Sequence, residues 1–220
     1  MKIKFLALTI GMAVGGVLTS GYFAPVQAVS FLNTFSSPGT IGEIDSGNGR
    51  FTPVITNGPS SLADIALDGS GQLYGNTLSE LYRFNPATNT STFVGSLGTS
   101  INGLGFATNG NLYGTGGNNF YQINTTTGAA TQVGSNITNF NSAGDIVFNP
   151  NSNQFLATSL SPSNSTLFSI GLNGSASPIG SGIGFGNVYG IFFEGGQLFG
   201  YTDDRQQIKI DLATGVGTFD

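Results

Sequence analysis

Residues 111–134, NLYGTGGNNFYQINTTTGAATQVG, combine apolar–aromatic pairs, glycine-rich gaps and a threonine run, with no charged residue. The beginning of this stretch, GNLYG, has counterparts at four other places: VSFLN, GQLYG, NQFLA and GQLFG. The central residues of the five segments are Phe31, Leu73, Leu112, Phe155 and Leu198. They are 42, 39, 43 and 43 positions apart. Such regular spacing indicates an internal repeat of about 40 residues.

The sequence around each central residue repeats as well. A short apolar run precedes it in four units: DIALD from Asp64, GLGFA from Gly103, DIVFN from Asp145 and GIFFE from Gly190. An alternating segment follows it, then a polar turn and a closing segment such as STFVG or ATQVG. Continuous apolar runs are typical of strands buried on both faces, and alternation is typical of strands nearer solvent. Each unit is therefore predicted to be four short strands joined by turns.

Four-stranded units of this length are typical of the blades of a β-propeller. A β-solenoid is the main alternative, but its coils are usually shorter, and a β-sandwich would not need five similar units. We predict an all-β fold, a β-propeller of about five four-stranded blades. The first blade is expected to be incomplete, with three strands, because the cleavage predicted below leaves no room for an innermost strand. The chain stops at Asp220, short of the last Val-Gly pattern, so we expect an imperfectly sealed ring unless the natural chain continues.

The composition excludes several classes of function. The chain has 35 Gly and 18 Phe among 220 residues, no Cys, His or Trp, and only 8% charged residues. Without His or Cys, neither a Ser-His-Asp triad nor a thiol nucleophile can form. The formal net charge is −5 with six Lys and Arg in total. Binding to a phosphate backbone needs clustered cations, so nucleic acid is not an expected partner.

The N-terminus has the pattern of a secretory signal peptide. Lys2 and Lys4 precede an apolar run from Phe5 to Val17, and Val26-Gln27-Ala28 approximates a small-residue cleavage site. We predict a signal peptide at residues 1–28 and a propeller domain at residues 29–220. An uncleaved membrane anchor is the alternative. Cleavage would leave no transmembrane span, and the expected location is secreted, periplasmic or cell-surface.

The segments DIAL, GQLYG and LYRFNPATN, within residues 64–89, resemble NHL- and YWTD-type propellers. The closing segments of the form T-G-x-x-T-x-V-G look like those of exported bacterial propeller proteins, many of them cyanobacterial. The resemblance covers nearly all of residues 29–220. It implies a propeller fold in a bacterial exported protein, but it implies no particular function, because propellers support binding, signalling and several enzyme chemistries.

Two carboxylates, Asp64 and Asp145, begin innermost strands and are expected to face an axial mouth of the ring. Together with Asn102 and Tyr189, which precede Gly103 and Gly190, they form the predicted ligand-binding set. The two carboxylates could bind Ca²⁺ weakly with backbone carbonyls, or act as acid and base. The alternative is that each Asp caps a turn, since the equivalent positions in other units are glycines. We therefore expect no cofactor, and at most weak Ca²⁺ binding.

The sequence favours an exported, non-enzymatic propeller that binds an unknown protein, small molecule or glycan at one mouth. A propeller enzyme using axial carboxylates, such as a lyase, lactonase or glycan-active hydrolase, is an alternative. A structural envelope protein is another. An enzyme needs several convergent polar residues in one axial pocket, whereas a binding scaffold is expected to show an aromatic or flat apolar rim.

The signal-peptide interpretation predicts a mature N-terminus at Val29. The apolar segment after Lys2 and Lys4 would enter the export machinery, and cleavage would follow Ala28. Mass spectrometry of the exported protein measures this mass directly. A mature chain that retains Met1 would contradict the prediction.

Overall fold

The computed structural model describes residues 8–10, 29–34, 37–45, 50–160 and 164–220. Within these ranges the chain forms twenty strands and no helix. The strands build five four-stranded sheets, and each sheet comes from one continuous stretch of chain. All strand pairs are antiparallel, and we number the sheets as blades 1 to 5 in chain order. The predicted all-β propeller is thus confirmed.

The strands of each blade follow one another from the axis outward. Blade 1 contains β1 (Leu8–Ile10), β2 (Val29–Thr34), β3 (Gly39–Asp45) and β4 (Arg50–Gly58). Blade 2 contains β5 (Asp64–Leu67), β6 (Leu73–Asn76), β7 (Glu80–Asn85) and β8 (Thr90–Ser96). Blade 3 contains β9 (Gly103–Phe106), β10 (Leu112–Gly116), β11 (Asn119–Ile123) and β12 (Ala130–Gln132). Blade 4 contains β13 (Ser142–Asn149), β14 (Gln154–Ser159), β15 (Thr166–Gly171) and β16 (Ala176–Ile179). Blade 5 contains β17 (Val188–Glu194), β18 (Gln197–Thr202), β19 (Gln207–Ile210) and β20 (Gly217–Phe219).

Contacts among the first strands of the blades make a closed ring. In turn, β1 contacts β5, β5 contacts β9, β9 contacts β13, β13 contacts β17, and β17 contacts β1. In the whole chain blade 1 has four strands, because Leu8–Ile10 pairs with the start of β2 and places Ile10 opposite Val29. The three-stranded first blade is expected of the cleaved chain, and for that form it stays a prediction. The expectation of an open seam assumed that this segment had been removed. The predicted cleavage site after Ala28 lies outside the described residues, so cleavage stays a prediction.

The central residues of the sequence repeat occupy the same place in every fully described blade. In blades 2 to 5 the central residue pairs on one side with the fourth residue of the apolar run and on the other side with an apolar residue of the third strand. These central residues are Leu73, Leu112, Phe155 and Leu198. All four are buried. The outermost strands β8, β12, β16 and β20 are mostly exposed. The burial gradient predicted from the apolar and alternating segments is thus confirmed.

The hydrophobic core is divided into layers between neighbouring blades. One layer joins Ile41 and Ile55 of blade 1 to Ile65 and Phe84 of blade 2. Equivalent layers lie between blades 2 and 3, 3 and 4, and 4 and 5. Because every layer takes side chains from two blades, no blade can bury its apolar faces alone.

Glycines bring the blades together at the outer rim. The glycine that closes one blade lies against the turn before the last strand of the next blade: Gly95 against Thr127 and Gly128, Gly134 against Gly174, and Gly180 against Thr214. A Cβ atom added at Gly95 would overlap the Thr127 carbonyl oxygen. Blade 1 contacts blade 2 differently, since the Thr56 backbone N–H donates to Asn89 Oδ1 at 2.8 Å. Close backbone approach therefore explains the repeated Val-Gly ending.

Gly95→Ala is expected to lower the free energy of unfolding by about 1–3 kcal/mol, because the added methyl overlaps backbone rather than a movable side chain. Gly69→Ala is the matched control, since a Cβ at Gly69 meets no atom within 4 Å. The control should change stability by less than about 0.5 kcal/mol. Urea denaturation measures both variants, and equal stability would show that the rim contact tolerates a side chain.

Candidate functional site

The ring has two mouths that differ in chemistry. The starts of neighbouring inner strands bond to one another, and their ends converge on one cavity, so the inner strands of blades 2–5 run in the same direction. We call the end where these strands begin the N-terminal mouth and the opposite end the C-terminal mouth. All four predicted ligand-binding residues lie toward the N-terminal mouth, but of the two carboxylates only Asp64 begins its strand as predicted. The prediction that Asp145 begins an innermost strand is wrong, because β13 starts at Ser142 and Asp145 is its fourth residue, beside a register shift between Ser142 and Ile146.

Asp64 and Asp145 are buried at the N-terminal mouth, with 0% and 4% of their surface exposed. Asp64 Oδ1 accepts a hydrogen bond from the backbone N–H of Ile65 at 2.6 Å, and Oδ2 accepts one from Leu104 at 2.6 Å. Asp145 repeats the arrangement one step further around the ring. Its Oδ2 accepts from the Ile191 N–H at 2.7 Å, and the carboxylate also accepts from the Ile146 N–H.

Each of these carboxylates therefore joins two blades. Asp64 ties blade 2 to blade 3, and Asp145 ties blade 4 to blade 5. A buried N–H without an acceptor costs about 1–3 kcal/mol of folding free energy. The four hydrogen bonds therefore give the two carboxylates a structural role, because they stabilise the contacts between blades. Burial raises the pKa of Asp145 well above its ordinary value, while the two backbone N–H donors oppose that shift. These bonds differ from the expected turn caps, because their donors lie in inner strands rather than in turns. Ligand binding at either residue stays a prediction.

Asn102 joins blade 3 to blade 4 at the same mouth. Its Nδ2 donates to the Ser142 carbonyl at 3.0 Å, and beside it the hydroxyls of Thr115 and Ser142 lie 2.8 Å apart. Tyr189 is half-buried in β17, where the register with β18 shifts between Val188 and Gly190. Asp64, Asn102 and Asp145 therefore each make a contact between neighbouring blades, and Tyr189 lies two residues before Ile191, whose N–H donates to Asp145.

Several buried oxygens near the N-terminal mouth lack a partner within the described part of the chain. They are the Oδ1 atoms of Asn76, Asn102 and Asn119 and the hydroxyl of Thr158. The amide nitrogens of Asn76 and Asn102 donate to backbone carbonyls, which fixes the orientation of both side chains. Buried acceptors of this kind are typically satisfied by ordered water.

The C-terminal mouth holds a cavity of about 530 Å³. Its walls include one apolar side chain from the same position of each fully described blade, the fourth residue of the apolar run: Leu67, Phe106, Phe148 and Phe193. All four are half-buried, because one side packs into a core layer while another faces the cavity. The cavity volume lies within the range of small-molecule sites, which are mostly apolar with a few polar groups.

The sequence reasoning missed these residues, although the signal was in the repeat. The four runs DIAL, GLGF, DIVF and GIFF all carry a large apolar residue at the fourth position. The first position is more conspicuous because it alternates between Asp and Gly. The fourth position is unremarkable within an apolar strand until the structure shows that it faces a hollow.

Two further observations concern the described residues alone. They contain no group of three or more His, Cys, Asp and Glu side chains that could hold a metal ion. They also contain no helix long and apolar enough to span a membrane.

Asp203 and Asp204 lie exposed in the turn between β18 and β19, where Asn187 Nδ2 donates to Asp203 at 2.8 Å.

Comparison with known proteins supports the fold. No protein-family model and no curated protein matches the sequence. Among solved structures, a nidogen/laminin complex superposes with a TM-score of 0.64 at 18% identity, over 88% of this chain and 75% of the other. A Xanthomonas campestris gluconolactonase gives 0.64 at 13% identity, over 88% and 72%. An auxiliary nutrient binding protein from Bacteroides thetaiotaomicron gives 0.61 at 12% identity, over 87% of this chain and 53% of that one. These TM-scores establish a shared fold, and the similar proteins include both binding proteins and an enzyme.

The raised pKa of Asp145 predicts a particular dependence of stability on pH. Its folded-state pKa exceeds the unfolded value near 4, so its contribution to the free energy of unfolding is complete below about pH 4 and is lost as the pH rises through the folded-state pKa. Asp145→Asn removes this titration. The stability of the protein minus that of the variant should therefore fall as the pH rises above about 4.

Urea denaturation across this pH range measures the difference. Gly69→Ala is the control because it removes no titratable group, and its difference from the unmodified protein should stay nearly constant. A difference for Asp145→Asn that rises with pH would mean that the backbone N–H donors outweigh burial at this carboxylate.

Proposed function

We propose that this protein is an exported binding protein that holds a small molecule with an apolar body in the cavity of the C-terminal mouth. One observation carries the proposal: successive blades contribute Leu67, Phe106, Phe148 and Phe193 to a single hollow of about 530 Å³. A half-exposed Phe at three equivalent positions is costly in water, and a ligand that covers these rings would gain apolar contact. Export is supported by the Lys-flanked apolar segment near the N-terminus.

Binding is favoured over catalysis by the state of the axial carboxylates. A lyase, lactonase or hydrolase of the expected kind would need Asp64 and Asp145 available to a substrate. Both are buried and accept backbone N–H bonds at 2.6–2.7 Å. The C-terminal cavity instead has the aromatic rim expected of a binding scaffold, with few polar groups to position a reaction.

The binding proposal is tested with two indole probes, tryptamine and tryptophol. The protein contains no Trp, so indole fluorescence reports only the probe. Gly69 lines the cavity and has open space at its Cβ position, so Gly69→Phe should obstruct the cavity and weaken binding by about tenfold. Gly69→Ala is the matched control and should bind within about twofold of the unmodified protein.

Phe148→Ser provides an independent variant that removes an aromatic wall rather than filling the space. It should weaken the binding of any indole that the protein holds, and thermal unfolding would verify that the variant is folded. Unchanged affinity in both Gly69→Phe and Phe148→Ser, or no binding of either probe, would overturn the assignment of the cavity as a ligand site.

A further inference from the structure

The C-terminal cavity has one charge, and it is negative. Among the described residues that line it, Asp68 alone is charged. The four described Lys and Arg residues, Arg50, Arg83, Arg205 and Lys209, all lie outside the lining. Among the described residues, no cation therefore lies in the lining to offset Asp68, and the formal net charge of the whole chain is −5.

Asp68 is held in a fixed orientation at the end of β5. Its Oδ1 accepts hydrogen bonds from the Ser70 N–H at 2.9 Å, the Ser70 hydroxyl at 2.7 Å and the Gln72 N–H at 2.9 Å. Among the described residues, no hydrogen bond reaches Oδ2. One oxygen thus forms the turn, and the second remains available to a ligand.

The turn itself does not require a charge. In blade 4 the equivalent residue is Asn149, whose Oδ1 accepts from the Asn151 N–H at 3.0 Å in the same way. A neutral amide oxygen can therefore accept at this turn, although Asp68 Oδ1 accepts three hydrogen bonds and Asn149 Oδ1 accepts the one from Asn151. The turn can thus form without a negative charge at this position.

Three aromatic rings complete the environment. Phe106, Phe148 and Phe193 belong to successive blades and are half-buried around the same cavity. The face of an aromatic ring carries negative charge density and attracts cations. Aromatic rings and a carboxylate together favour a ligand with an apolar body and a positive group, and they disfavour an anion.

We infer that the ligand of the C-terminal cavity is a small organic cation, whose apolar or aromatic body contacts Phe106, Phe148 and Phe193 and whose ammonium group pairs with Asp68 Oδ2. The inference rests on the proposed function, because it names the chemical class of ligand for the same cavity. The preference of the cavity for a positive charge can be measured separately from its ability to bind an indole ring.

The experiment compares three probes that share an indole ring and differ in charge: tryptamine (cation), tryptophol (neutral) and indole-3-propionate (anion). Fluorescence titration at neutral pH should give the order tryptamine, tryptophol, indole-3-propionate, with steps of about fivefold. Asp68→Asn keeps the Oδ1 cap and removes the charge. It should weaken tryptamine binding about fivefold, leave tryptophol unchanged and strengthen indole-3-propionate binding.

Asp204→Asn is the matched control, because it removes one exposed carboxylate from a turn of blade 5 outside the cavity lining. It should leave the order and the affinities unchanged. Equal affinities for tryptamine and tryptophol, or an equal loss for both in Asp68→Asn, would overturn the cation assignment while the apolar site stands. The failure of every probe to respond to Gly69→Phe and Phe148→Ser would instead overturn the proposed function.

Discussion

The ring depends on hydrogen bonds that join the innermost strands of neighbouring blades. Four backbone N–H groups, those of Ile65, Leu104, Ile146 and Ile191, point into a buried hub and need acceptors there. Two carboxylates supply all of them, because Asp64 and Asp145 each bond within their own blade and across to the next. Without these two residues the hub would hold unpaired donors, and the inner strands would lose their fixed relative heights.

At the outer rim, neighbouring blades contact each other through backbone atoms rather than through side chains. At the hub, side chains reach between blades, whereas at the rim the glycines remove side chains so that the backbones can touch. Between these two radii lie the apolar layers that neighbouring blades share. A chain with no Cys cannot cross-link its blades through disulfides, so contacts at three radii hold the ring together.

The repeat predicted the fold because its period, turn residues and apolar runs all recur at the same relative positions. Leu73 and its equivalents pair with residues at the same relative position in blades 2 to 5, so the sequence repeat also predicts the register of the strands. The site was less predictable. Asp64 bonds to Leu104, a residue 40 positions away on another blade, and no local pattern encodes that bond. Likewise, Phe148 looks like any strand residue until the end of its strand meets those of its neighbours around a hollow.

The alternation of Asp and Gly at the first inner position has a consequence of parity. Blades 2 to 5 follow the order Asp64, Gly103, Asp145, Gly190, so each carboxylate is followed by a blade that has none. Asp and Gly can alternate all the way around a ring only if the number of blades is even. A five-membered ring must contain one mismatch, and it falls on blade 1, whose inner strand Leu8–Ile10 has neither Asp nor Gly. Among the described inner strands, blade 1 therefore interrupts the alternation of carboxylate and glycine from one blade to the next.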